Sequence, residues 1–203
     1  DATGSTFAII DHMVANVANG EMDKYVEFYE RVFGFKLTRH FDIRTKRSAL
    51  MSKVMTAQHS YIQLPINEPS TKNSQIQEFL DANRGPGIQH MALLTKSIIP
   101  TIDDLRRRGV EFLYVPDEYY EAAPQRVGQI AEPFDELHRL RILVDRDGPD
   151  GYLLQLFTRA IFPEPTLFFE VIQRHGNARG FGEGNFRALF EAIEREQMKR
   201  GTL

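Results

Sequence analysis

The chain has 203 residues, 42% of them hydrophobic and 26% charged, with a net charge of −3 and a pI near 6.1. That is the balance of a globular domain large enough to bury a core, and it offers no basic surface to nucleic acid or anionic lipid. The absence of cysteine excludes disulfides, thiolate catalysis and cysteine-based zinc sites.

No apolar run approaches the roughly 20 residues that cross a bilayer, and the N-terminus lacks a signal-peptide pattern. A cytoplasmic protein with no nucleic-acid or membrane partner is expected. The chain starts at Asp1 rather than Met, so it reads as a fragment or a trimmed product. The basic stretches "RRRG" (106–109) and "EREQMKRG" (194–201) read as solvated helix ends.

In chain order, "IIDHMVANV" (9–17) is a β-type run. Met22, Tyr25, Val26, Tyr29, Val32 and Phe33 follow at helical spacing, with Gly34 at the C-cap position. "FGFKLT" then starts a strand, and "SALMSKVM" (48–55) and "SYIQLPI" (60–66) add two more. "NEPSTKNSQIQEFLDANRGPG" supplies a polar loop, a short helix and a Gly-Pro-Gly turn.

The pattern then repeats. "GIQHMALLT" (87–95) again carries His followed by Met, and "SIIPTIDDLRRRGVEF" is again an amphipathic helix, ended by Gly109. "GVEFLY" reads as a strand start, followed by "LRILVD" (140–145), "YLLQLFT" (152–158) and "TLFFEVIQ" (166–173). Each half is strand–helix–three strands. Such a unit cannot bury both sheet faces alone, so an α+β fold is expected, with paired βαβββ modules in one curved mixed sheet around a shared interior. The modules span about 8–80 and 85–175. A C-terminal helix over about 184–200 carries Phe186, Leu189, Phe190 and Ile193 as an apolar stripe.

Strand alternation places three polar groups toward that interior. Glu170 lies in a row with Phe168 and Ile172, His12 with Ile10 and Val14, and His90 with Ile88 and Ala92. A carboxylate among large apolar side chains is unfavourable unless it is paired or bound to a metal. Two imidazoles and one carboxylate form the facial set that leaves open positions on an octahedral metal, and such a set suits Fe(II), with Mn, Co, Ni or Zn as alternative occupants. A lone strand histidine is more often a hydrogen-bonded core residue. The repeated His-Met pattern and the mid-strand Glu170 argue for the metal. His40, His59, His138 and His175 read as surface or loop residues.

The motifs "IDHMVANV", "LPINEP", "SQIQEFL", "GIQHMALL", "LLQLFT", "FFEVIQR" and "GFGEGNFRALFEAIEREQ" resemble, in order and spacing, the C-terminal domain of the 4-hydroxyphenylpyruvate dioxygenases. These belong to the vicinal oxygen chelate superfamily. The likeness runs from about residue 8 to the end, and the family's N-terminal domain of related fold has no counterpart in the chain.

The resemblance implies an Fe(II)-dependent dioxygenase that turns 4-hydroxyphenylpyruvate and O2 into homogentisate and CO2 in tyrosine and phenylalanine catabolism. It makes His12, His90 and Glu170 the iron ligands. Ser52, Asn67, Gln75, Gln89 and Gln155 become the polar catalytic residues, and Pro65, Phe157, Phe168, Phe181, Asn185 and Phe186 the substrate pocket. It further implies a C-terminal lid helix and a homo-oligomer. Simple alternation turns Gln89 away from the face of His90, which suits a role behind the ligand. The rival readings are a hydroxymandelate synthase and a superfamily domain that is isomerase-like or only binds. Phe186 and Pro65 resemble the ring-hydroxylating enzymes, and "SYIQLPI" lacks the carboxylate that an isomerase of the superfamily would place there.

Overall fold

A computed structural model describes residues 6–59 and 62–203. Its strands are β1 (Phe7–Asn16), β2 (Lys36–Arg44), β3 (Ala49–Thr56), β4 (Gln63–Pro69), β5 (Gly87–Thr95), β6 (Leu143–Arg146), β7 (Gly151–Phe157) and β8 (Phe168–Gly176). The helices are α1 (Met22–Phe33), α2 (Gln75–Asn83), α3 (Ile98–Arg107), α4 (Asp117–Val127), α5 (Phe134–Leu140) and α6 (Phe186–Arg200).

The strand order β2-β3-β4-β1-β5-β8-β7-β6 carries the repeat. On either side of the β1/β5 neighbours, the last strand of a module lies next to its first. β1 pairs parallel to β4, while β2–β3–β4 and β6–β7–β8 are antiparallel. The expected tandem βαβββ arrangement is present.

The chain divides into two compact units, one formed by Asp1–Ile9, Leu93–Arg159 and Glu170–Ala192, the other by Ile10–Ala92, Ala160–Phe169 and Ile193–Leu203. In the first, Tyr152, Leu154, Leu156 and Val171 turn one sheet face onto Ile98, Ile102, Ala123, Val127, Leu137 and Leu140 of α3, α4 and α5. Leu153, Gln155 and Phe157 occupy the opposite face of β7, as period-two alternation requires. In the second unit, Met22 and Val26 of α1 pack on Val17, Met55, Leu64 and Ile66.

α1 ends as expected, with Gly34 left-handed at φ 69 and its N–H bonded to the carbonyl oxygen of Glu30. The α1 stripe is buried only in part. Met22 and Val26 are covered, whereas Val32 and Phe33 are exposed, and Phe33 joins Phe28, Tyr29 and Phe35 in an aromatic cluster.

Several expectations need correction. "GVEFLY" forms no strand beyond a single bridge, Phe112 to Thr158. α4 and α5 occupy a stretch that the strand and helix patterns leave unassigned. The third strand of the first module is β4, which runs to Pro69, and residues 60 and 61 of "SYIQLPI" lie outside the described residues. β4 does hold a carboxylate, Glu68. Its Oε2 accepts the N–H groups of Gly20 and Met22 and so satisfies donors at the start of α1.

The two basic stretches are not simply solvated. Arg106 donates to the Leu140 carbonyl at the end of α5 and lies over the Phe112 ring. Its guanidinium is lowered from its ordinary value by burial. On α6, Phe190 is buried but Phe186, Leu189 and Ile193 are only half-buried, and the covered face includes Glu194 and Gln197. Glu194 accepts the hydroxyls of Thr45 (2.6 Å) and Ser48 (2.7 Å), which makes a buried carboxylate tolerable.

Candidate metal centre

β1 and β5, the first strands of the two modules, are neighbours, and β8 follows β5. Each carries one of the three polar residues, so His12, His90 and Glu170 meet: one ligand atom of each lies within 4.8 Å of the others, and all three residues are buried. The imidazole rings of His12 and His90 sit edge to face, with centroids 5.9 Å apart.

The residue before each histidine fixes its tautomer. His12 Nδ1 lies 2.8 Å from a carboxylate oxygen of Asp11, and His90 Nδ1 lies 3.0 Å from the amide oxygen of Gln89. Both partners are acceptors, so Nδ1 of each ring carries the proton and donates it, and Nε2 becomes the lone-pair nitrogen suited to a metal. Gln89 thus supports its neighbour from behind. Asp11 was missed in the sequence. Its signal is positional, since it precedes His12 as Gln89 precedes His90.

The wall around the imidazoles is one-sided. Val14 and Ala92 are buried, but Ile10 and Ile88 are 51% and 38% exposed, against the expectation that alternation would enclose both neighbours. Phe168 closes part of the site by stacking on the His90 ring at 4.8 Å.

Glu170 faces Phe157 across the β7–β8 ladder. Its Oε1 accepts a hydrogen bond from Gln155 Nε2 at 3.1 Å. Gln155 Oε1 in turn accepts from Asn185 Nδ2 at 3.0 Å. Asn185 Oδ1 accepts from the Tyr119 hydroxyl at 2.5 Å and from Arg126 at 3.3 Å. Both ends of the Asn185 amide are therefore engaged within the protein. Asn185 thereby braces Gln155.

Gly182 is what permits this packing. It is left-handed at φ 73, and a Cβ there would fall 1.7 Å from Gln155 Oε1. A Cβ at Gly184 would fall 2.2 Å from Asp145 Oδ1, and the Asp145 carboxylate accepts the Gly184 N–H at 2.7 Å. Burial raises the Asp145 carboxyl above its ordinary value, against the opposing pull of that N–H and of Arg126.

Ser52, Asn67 and Asn16 are register partners across β3, β4 and β1, so they form one polar row on the face that carries His12. Asn67 Nδ2 donates to Asn16 Oδ1 at 3.3 Å. All three are buried, as are Pro65 on the same face of β4 and Gln75 at the start of α2. Asn16 Nδ2 and Gln75 Oε1 have no hydrogen-bond partner among the described residues. A buried donor and a buried acceptor left open are unfavourable unless a ligand satisfies them. Asn16 was also missed, although it lies four residues after His12 on the same strand face. Phe157 and Phe181 are buried and Phe186 is half-buried.

The other histidines divide differently. His40, His59 and His138 are exposed, as expected. His175 is part of β8, stacked on Tyr152 at 4.3 Å and 2.7 Å from a Glu132 carboxylate oxygen.

A family model described as the Glyoxalase/Bleomycin resistance protein/Dioxygenase superfamily matches residues 9–156. The chain belongs to this superfamily. Among curated relatives, a 4-hydroxyphenylpyruvate dioxygenase from Legionella pneumophila (strain Corby) is 48% identical over 202 residues, covering 98% of this chain and 57% of the relative. One from Yarrowia lipolytica is 49% identical over 203 residues, covering 96% and 51%. Among solved structures, a triple mutant of 4-hydroxymandelate synthase from Streptomyces coelicolor matches with TM-score 0.86 at 38% identity, covering 97% of this chain and 57% of that one. The chain spans about half the length of the curated relatives it matches. Its superfamily membership and its His/His/Glu cluster are compatible with a bound metal. Among the described residues no helix is long and apolar enough to cross a membrane.

Proposed function

We propose that this domain is the catalytic part of an Fe(II)-dependent dioxygenase that converts 4-hydroxyphenylpyruvate and O2 to homogentisate and CO2. The observation that carries the reading is the buried cluster of His12, His90 and Glu170, two neutral nitrogen donors and one carboxylate with ligand atoms within 4.8 Å. This donor set fits Fe(II), and its Nδ1 partners leave Nε2 of each imidazole as the lone-pair nitrogen. The relatives named above support the substrate and the reaction.

Bound iron would supply the open positions at which an α-keto acid and dioxygen meet. The chain's own residues do the rest. Asp11 and Gln89 hold the imidazoles, and Gln155 holds Glu170. Ser52, Asn67 and Gln75, with Asn16 beside them, take the phenol hydroxyl, which can accept from Asn16 Nδ2 and donate to Gln75 Oε1. Phe157, Phe168, Phe181 and Phe186 pack the ring, and Pro65 shapes the wall. In the net reaction the keto acid loses CO2, its keto carbon becomes the new carboxylate, the ring gains a hydroxyl and the side chain migrates. The two oxygen atoms of O2 account for the oxidation, so no external reductant is needed.

The reading includes α6 as a lid carrying Phe186, and a homo-oligomer in the cytoplasm. Deleting the residues after 183 is expected to weaken substrate affinity and turnover; unchanged values would remove the lid. Hydroxymandelate synthesis is the second reading, favoured by the 0.86 structural match, with Phe186 and Pro65 against it. The deciding experiment loads the protein with Fe(II) anaerobically, adds 4-hydroxyphenylpyruvate and O2, and identifies the product by mass spectrometry. Homogentisate supports the proposal, hydroxymandelate supports the alternative, and no oxygen uptake by a metal-loaded full-length protein refutes both.

A further inference from the structure

The hydrogen bonds behind Glu170 all run one way. Arg126 Nη2 donates to the Tyr119 hydroxyl oxygen at 2.8 Å, and Tyr119 donates to Asn185 Oδ1 at 2.5 Å. Asn185 Nδ2 donates to Gln155 Oε1 at 3.0 Å, and Gln155 Nε2 donates to Glu170 Oε1 at 3.1 Å. The far end is a guanidinium, which can only donate. It is anchored by Asp145 Oδ1 at 2.5 Å and by the Val144 carbonyl at 2.8 Å.

The Tyr119 oxygen already receives Arg126 and the N–H of Val144 at 2.9 Å; its own proton has two acceptors in reach, Asn185 Oδ1 at 2.5 Å and the Val144 carbonyl at 2.8 Å, of which Asn185 is the nearer. Two donors on Asn185 Oδ1 fix which way that amide faces. Its N–H2 must then face Gln155, whose oxygen turns toward Asn185 and whose own N–H2 turns toward Glu170. Were either amide reversed, a carbonyl oxygen would face another oxygen. Links of this kind polarise one another, so each donor strengthens the next.

We propose that Arg126 and Tyr119 on α4 are positioning residues for the metal centre: they set the direction of the Asn185 and Gln155 amides and so present Glu170 to the metal with Oε1 held by a donor. Both residues reach Glu170 through Asn185 and Gln155, and the sequence motifs do not include them. The inference rests on the metal-centre reading above and extends it outward from Gln155, whose direct bond to Glu170 is the kind of contact that changes metal affinity by about 10–100-fold.

The test is a titration of Co(II) alone into Tyr119→Phe, Arg126→Met and Asn185→Asp, read by affinity and by the visible spectrum of the bound ion. The melting temperature of each metal-free protein is measured alongside. Tyr119→Phe and Arg126→Met are expected to bind Co(II) about tenfold more weakly with an altered spectrum, while the metal-free proteins melt within a few degrees of the parent. Asn185→Asp keeps an acceptor for Arg126 and Tyr119 but cannot donate to Gln155, so it is expected to lose affinity as much. A purely structural role would lower the melting temperature and leave affinity and spectrum at parental values.

Parental affinity and spectrum in Tyr119→Phe overturn the proposal even if Arg126→Met fails to fold, because that change removes a single oxygen. A parent that binds no Co(II) overturns it as well. A parent that binds Co(II) but shows no turnover when loaded with Fe(II) refutes the dioxygenase reading alone. Equal affinities with homogentisate formed refute this inference alone.

Discussion

Gly182→Ala tests how tightly the loop before α6 is fitted to the Gln155–Glu170 pair. Gly182 sits at φ 73, where an L-residue loses about 1 kcal/mol relative to glycine. The added Cβ would lie 1.7 Å from Gln155 Oε1 and 3.2 Å from Leu153 Cδ1, so the Gln155 side chain must move. Moving it breaks its bonds with Asn185 and Glu170, and the loss of a hydrogen bond to a buried charge is worth about 2 kcal/mol. With about 1 kcal/mol more for the neutral bond to Asn185, the sum is about 4 kcal/mol, a fall of roughly 8–16 °C in melting temperature for a chain of this size.

Gly34→Ala provides the comparison. Gly34 has a similar φ, 69, with nothing within 4 Å of the added carbon. It is expected to lose only the backbone term, a drop of about 2–4 °C, with metal affinity unchanged. Thermal melts by circular dichroism and Co(II) titration of both variants read the difference. A Gly182→Ala protein that melts like Gly34→Ala and binds metal like the parent would refute the argument.

Three further outcomes follow from the same structure. Glu194→Ala strips two hydroxyls of a buried acceptor and is expected to destabilise by about 2 kcal/mol, measured by denaturant unfolding; an unchanged midpoint would mean that α6 is not held there. Burial pushes the Tyr119 phenol from 10 up to about 12, so its contribution is full below pH 10 and is lost as pH rises toward 12. Stability should decline by about 2 kcal/mol over that window and decline less in Tyr119→Phe; identical alkaline profiles would contradict this. Asn16→Ala removes an open donor beside Asn67 and is expected to raise KM for the substrate several-fold with metal affinity intact, whereas a parental KM would exclude Asn16 from the substrate's polar end.

What could be read in the sequence was whatever repeats. His-Met on two strands, a helix closed by Gly34 or Gly109 after each, and a carboxylate inside an apolar strand point to the tandem modules and to the buried His12, His90 and Glu170 cluster, because period-two alternation is a strong constraint on a central strand. α4 escaped because Pro124 interrupts its last turns, although Tyr120, Ala123 and Val127 bury one face. α5 is seven residues long and offers too short a window for periodicity.

Local pattern alone revealed a supporting residue only where it adjoins one of the three cluster residues; Gln155 came from the resemblance. Gln89 precedes His90 in chain order, whereas Arg126 and Tyr119 reach Glu170 through side chains far apart in sequence. Asn185 illustrates the limit. Its neighbour Phe186 suggests a pocket, but Tyr119 and Arg126, invisible to any local pattern, claim its oxygen. Glu194 and Gln197 read as a solvated helix end because the hydroxyls that donate to Glu194 lie some 150 residues away.

The central claim is that His12, His90 and Glu170 together hold one metal ion. The most direct measurement is anaerobic Fe(II) stoichiometry and affinity in the parent and in His12→Ala, His90→Ala and Glu170→Ala, with circular dichroism to confirm folding. One ion per chain in the parent and none held tightly by any folded variant is the predicted result. A folded variant that still binds one ion with parental affinity would contradict the account.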